Sequence, residues 1–79
     1  MPSQKNKAAG AHVAKVIEIN AASGKSIEDA VRSGLSTVAK TIGEIKGAWI
    51  GDIKVCTSPD GEVHEWRVNM RVSFIVKGS

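Results

Sequence analysis

Arg67, Asn69 and Arg71 stand two residues apart in the last third of the chain, interleaved with Trp66, Val68, Met70 and Val72. In an extended strand this alternation sends the three polar side chains to one face and the apolar set to the other. Two guanidinium groups and an amide on one face could hold an anionic or hydrogen-bonding ligand. With Trp49 and Trp66 they also meet the crude composition of a single-strand nucleic-acid binder. Only one tryptophan can share the arginines' face if the alternation holds, and no RNP-like motif occurs, so nucleic acid is not expected as a partner. Catalysis has less to work with. His64 and Glu65 are adjacent on a strand and point to opposite faces, which defeats an acid/base pair. No nucleophile elbow, phosphate loop or pair of carboxylates is visible. Cys56 is the single cysteine. It reads as a half-buried small hydrophobe at a strand end, and no cluster of His, Cys and acids has metal-ligand spacing. The expectation is a binding protein, not an enzyme.

The elements that must position this face are organised around one helix. Ile27, Val31, Leu35, Val38, Ile42 and Ile45 recur at steps of three and four, which predicts an amphipathic helix over 26–46. Ser26 is its N-cap and Asp29, three residues on, completes a near capping box. Glu28 and Asp29 suit the positive end of the helix dipole, Lys40 and Lys46 suit the negative end, and Gly47 is expected to end it. Before the helix, Val13, Val16, Ile17 and Ile19 predict a first strand over 12–19, followed by a loop over 20–25. After it, residues 48–55 form a second strand. Thr57-Ser58-Pro59-Asp60-Gly61 makes a turn, and residues 63–76 form the third strand. The fold expected is α+β, in the order β-α-β-β, a three-stranded antiparallel sheet wrapped around the helix. The polar face of that sheet has no cover within the chain. Residues 1–11 are too polar to repay the entropy of ordering and read as a flexible, dispensable tail. The domain is 12–77.

At 79 residues a single domain buries only about 60% of its unfolded surface. Disulfides and metals are not in evidence, so oligomerisation is the remedy left open. No apolar run approaches the ~20 residues of a membrane helix, and the first residues lack the apolar core of a signal peptide. No membrane partner and a cytoplasmic location are expected. The formal charge is +3, a mild bias toward anionic partners that is summed over every subunit of an assembly.

Lys15-Val16-Ile17-Glu18-Ile19, Ser26-Ile27-Glu28-Asp29-Ala30, Ala39-Lys40-Thr41-Ile42, Asp60-Gly61 and Arg71-Val72-Ser73-Phe74 follow one another with the order and nearly ungapped spacing of the dodecins. The chain resembles this family from about residue 14 to 76. The resemblance implies a β-α-β-β fold, a hollow homododecamer, and non-catalytic binding or storage of flavin (FMN or riboflavin). In flavin-binding members a Trp just after the helix stacks on the isoalloxazine ring, and an ungapped comparison puts Gly47 there. A Gln that hydrogen-bonds the flavin's pyrimidine edge corresponds to Arg67, which donates but cannot accept. Both changes are expected to weaken flavin binding, and Arg67 to tilt the site toward an anionic ligand. Trp49 stands where the family often has Glu and could be a displaced platform on the same strand face as Gly47. Trp66 replaces a residue that is often Tyr and is expected in the core. Relatives lacking the stacking Trp have been linked to calcium, for which Asp52, Glu65 and Asn69 could offer oxygens. The ligand-binding candidates are therefore Gly47, Trp49, Arg67 and Asn69.

Overall fold

The computed structural model describes residues 13–76. β1 (Ala14–Ser23), α1 (Ile27–Ile42), β2 (Ile45–Thr57) and β3 (Val63–Ile75) follow in that order. The sheet order is β1-β3-β2, with β3 antiparallel to both neighbours. The expected α+β topology is what forms. The tail expected over 1–11, together with His12, lies outside the described residues.

β3 takes the centre because its alternation is the most regular in the chain. Val68, Met70 and Val72 point to the helix side and are buried with Ala30, each large side chain contributing about 1.5 to 3 kcal/mol. Ile17, Ile19 and Ala21 of β1, Val31, Leu35 and Val38 of α1, and Ile45 and Ala48 of β2 close around them.

The helix begins where Ser26 predicts. Its Oγ accepts from the Asp29 N–H at 2.9 Å. The reciprocal half of the capping box is relayed: Ser23 Oγ donates to Asp29 Oδ2 at 2.6 Å and accepts from the N–H groups of Lys25 and Ser26. The helix ends earlier than expected. Gly43, not Gly47, takes the positive φ of 105° and donates its N–H to the Ala39 carbonyl at 2.9 Å. Ile45 is thereby released to β2, where it opposes Phe74 and reaches the same core from the sheet. An apolar residue at helical spacing was satisfied by either element, and the nearer glycine decided between them.

The first strand is longer than expected. Asn20, Ala21, Ala22 and Ser23 pair with Asn69, Val68, Arg67 and Trp66, so the loop predicted over 20–25 shrinks to its last two residues. Pairing with a central strand overrides the poor strand propensity of those four residues. Trp66 lies on the helix side of the sheet, as its register with Ser23 and Val55 requires, but it is only half-buried and stands outside the core cluster.

The helix packs on β1 and β3 and barely reaches β2. Its tightest approach is at Gly34, where an added Cβ would sit 2.8 Å from Ala21 Cβ and 3.0 Å from Met70 Cε. Replacing Gly34 by Val should therefore overpack the helix–β1 seam and cost about 1 to 3 kcal/mol. Thermal or denaturant unfolding checks this, and an unchanged midpoint would show that the seam yields freely.

Candidate functional site

The face turned away from the helix carries the polar residues. Outward from β3 stand Glu65, Arg67, Asn69, Arg71 and Ser73. β1 contributes Glu18, Asn20 and Ala22 opposite Arg71, Asn69 and Arg67. β2 contributes Gly47 opposite Ser73, Trp49 opposite Arg71, and Lys54 opposite Arg67. Gly47 and Trp49 thus share a face with Arg67 and Asn69, so the four candidates lie on one surface. They form two separate groups along it.

At one end is an aromatic group. Trp49 is 56% exposed, with Arg71 Cζ 5.6 Å from its ring centroid, within cation–π range. At Gly47 an added Cβ would meet no heavy atom within 4 Å. The platform position named by the resemblance is therefore open.

The other end is a polar cleft of about 470 Å³ lined by Glu18, Asn20, Asp52, Lys54, Arg67 and Asn69. A β-bulge shapes it. Between Ile50, which opposes Met70, and Ile53, which opposes Val68, Gly51 and Asp52 together face the single residue Asn69. The bulge brings strand β2 close to Asn69: a Cβ at Gly51 would lie 3.0 Å from Asn69 Oδ1 and 3.2 Å from its carbonyl oxygen, so a larger residue there would have to push Asn69 aside. Asn69 in turn donates from Nδ2 to Glu18 Oε2 at 2.8 Å and Asn20 Oδ1 at 3.2 Å. Arg67 is exposed, and its Nε donates to Glu65 Oε1 at 2.7 Å. That hydrogen bond, with the carboxylate's charge, raises the guanidinium above its ordinary pKa. The two arginines consequently differ: Arg67 has a carboxylate and Arg71 has an aromatic ring.

Asn20 and Lys54 join the cleft without having been singled out in the sequence. Asn20 falls in the loop expected over 20–25, and its place in β1 puts it opposite Asn69. The role of Gly51 and Asp52 was hidden by the bulge, although two apolar residues three apart, Ile50 and Ile53, in an otherwise alternating strand signal one.

A helix lying on one side of a three-stranded antiparallel sheet, with the last strand central and the other side open, defines a class of small α+β proteins. The chain belongs to the dodecin family, whose model matches residues 13–77. It is similar in fold to the dodecin from Streptomyces davaonensis, at 22% identity and a TM-score of 0.79 over 85% of this chain and 97% of that one. The dodecin from Streptomyces coelicolor gives 21% identity and 0.81 over 89% and 99%. The calcium dodecin from Mycobacterium tuberculosis, a calcium chelating immunodominant antigen with a novel calcium-binding site, gives 25% identity and 0.71 over 85% and 94%. No curated protein matches the chain. Among the described residues no helix is long and apolar enough to cross a membrane.

Proposed function

We propose that the chain is a non-catalytic small-ligand-binding and storage protein that assembles as a hollow homododecamer in the cytoplasm. Its ligand is a flavin or a similar planar, anionic molecule held on the open sheet face by Trp49, Arg67 and Asn69 beside the space at Gly47. The observation that carries this is the exposed Trp49 ring on a face that also presents guanidinium and amide donors: a planar ring can stack, and its polar edge can be met, without any rearrangement of the sheet. The family's flavin ligand fits this surface in kind, though with the platform shifted from 47 to 49.

Calcium stands second, on the strength of the M. tuberculosis relative. The residues of one chain fit it less well. Calcium needs six to eight oxygens. Glu65 is engaged by Arg67, Glu18 by Asn69, and Lys54 and Arg67 line the same cleft as Asp52. Among the described residues no three His, Cys, Asp or Glu side chains converge as metal ligands. Nucleic acid is disfavoured because Trp66 is on the helix side, which leaves one tryptophan for the basic face.

The test is gel filtration with light scattering after incubation with FMN. Twelve chains of 8.3 kDa should elute as a particle of about 100 kDa carrying flavin absorbance. A stable monomer or dimer at micromolar concentration would remove the assembly, and a colourless 100 kDa peak would remove the flavin.

A further inference from the structure

Arg71 sits between two possible partners. Glu18 opposes it on β1 and Trp49 opposes it on β2. Glu18 is the electrostatically stronger choice, yet its carboxylate accepts the Asn69 amide at 2.8 Å, while the guanidinium lies over Trp49. Among the described residues no carboxylate is within ion-pair distance of Arg71. Arg67, by contrast, already has Glu65 at 2.7 Å. An anion approaching Arg67 must compete with a carboxylate two residues away on the same strand face. An anion approaching Arg71 displaces only a ring contact. Of the two arginines on this face, the one free to meet a ligand is therefore the one beside Trp49, while Lys54 stands opposite Arg67 in the polar cleft.

The ring contact has a second consequence. A guanidinium over one side of Trp49 occupies the surface on which a planar ligand would stack. Ring-on-ring stacking is stronger than an exposed cation–π contact, so a flat ligand can take the place of the guanidinium. The displaced cation gains most if the same ligand brings an anion. We infer that Arg71 is the specificity-determining cation of this site: it leaves the Trp49 face as the ligand's ring arrives and pairs with an anionic group on that ligand, which selects planar aromatic anions over their neutral counterparts. Asn69 is the positioning residue, because holding Glu18 keeps Arg71 uncompensated. This rests on the small-ligand function proposed above for the open face.

FMN and riboflavin share a ring and differ by a phosphate, so flavin fluorescence titrations with both probes separate stacking from charge recognition. The wild-type protein should prefer FMN by about tenfold or more. Arg71→Gln should abolish that preference while riboflavin binding is kept or improved, Arg71→Lys should retain part of it, and Arg67→Gln should change the affinity for both flavins alike, so that the ratio between them stands. Trp49→Ala should lose both ligands, with assembly size verified by light scattering. In a Trp66→Phe background, Arg71→Gln should also change Trp49 emission before any ligand is added, a readout that does not depend on binding. A preference that survives Arg71→Gln, or vanishes in Arg67→Gln, overturns the assignment. Undiminished flavin binding by Trp49→Ala overturns it too while leaving the flavin function standing. Binding of neither flavin by the wild type overturns that function and this inference together, and an unchanged Trp49 emission removes the ring contact itself.

Discussion

Riboflavin fluorescence should be quenched far more strongly by the double variant Gly47→Trp, Arg67→Gln than by the unaltered protein, with affinity higher by tenfold or much more. The space for the new ring exists: nothing lies within 4 Å of a Cβ built at Gly47, and its φ is not among the positive ones. Gly47 opposes Ser73 and shares the outer face with Trp49, so a tryptophan there projects onto the ligand surface, not into the core. One ring stacked on an aromatic side chain is worth roughly 1 to 3 kcal/mol, and about 1.4 kcal/mol is tenfold in affinity. Replacing Arg67 by Gln adds an acceptor that a guanidinium lacks and frees Glu65 from its ion pair, at little cost because the pair is exposed. The fold should be indifferent to both changes. If riboflavin binds the double variant no better than the wild type, position 47 is not the platform. Tight riboflavin binding by the unaltered chain would show that Trp49 suffices as the platform without a second ring at 47, which Trp49→Ala checks.

The architecture was legible because its signals are local and redundant. Ser26 with Asp29 marks the helix start, alternation from Glu65 to Phe74 marks the central strand, and Pro59 with Gly61 marks the hairpin, which closes through Ser58 and Glu62. Boundaries failed where two outcomes satisfied the same local preference. Ile45 completes a helical stripe and equally fills a strand position over the core, and only the placement of Gly43 separates them. Asn20 to Ser23 look like a loop until β3 offers a partner. The site was legible as a face and not as a set of contacts. Alternation alone puts Arg67 and Arg71 on one surface, but whether a guanidinium meets a carboxylate or a ring depends on which neighbours Asn69 and the bulge at Gly51 and Asp52 bring across the sheet. Those are pairings between strands distant in sequence, and no spacing within a strand encodes them.

The proposed dodecamer should fall apart when the helix-side face of β2 is made polar. Ile50, Ile53 and Val55 pair with Met70, Val68 and Trp66 and so point to the helix side, yet α1 stops short of them. They remain 46%, 51% and 42% exposed. Three neighbouring aliphatic side chains left half in water on the side of a sheet that is otherwise core mark a surface meant to be covered. Covering the remainder would contribute on the order of 1 kcal/mol per side chain, repeated at every copy of the interface. Ile53→Glu should therefore reduce the scattering mass from about 100 kDa to that of small species at micromolar concentration. Within one chain Ile53 is already exposed, so the far-ultraviolet circular dichroism of the variant should still show the helix and sheet. Lys40→Glu, on an exposed turn of the helix, serves as a charge-change control that should keep the full mass. A 100 kDa particle that persists with glutamate at 53 would mean that subunits meet elsewhere and that this apolar strip serves another purpose. Loss of mass in both variants would point instead to a general sensitivity to charge.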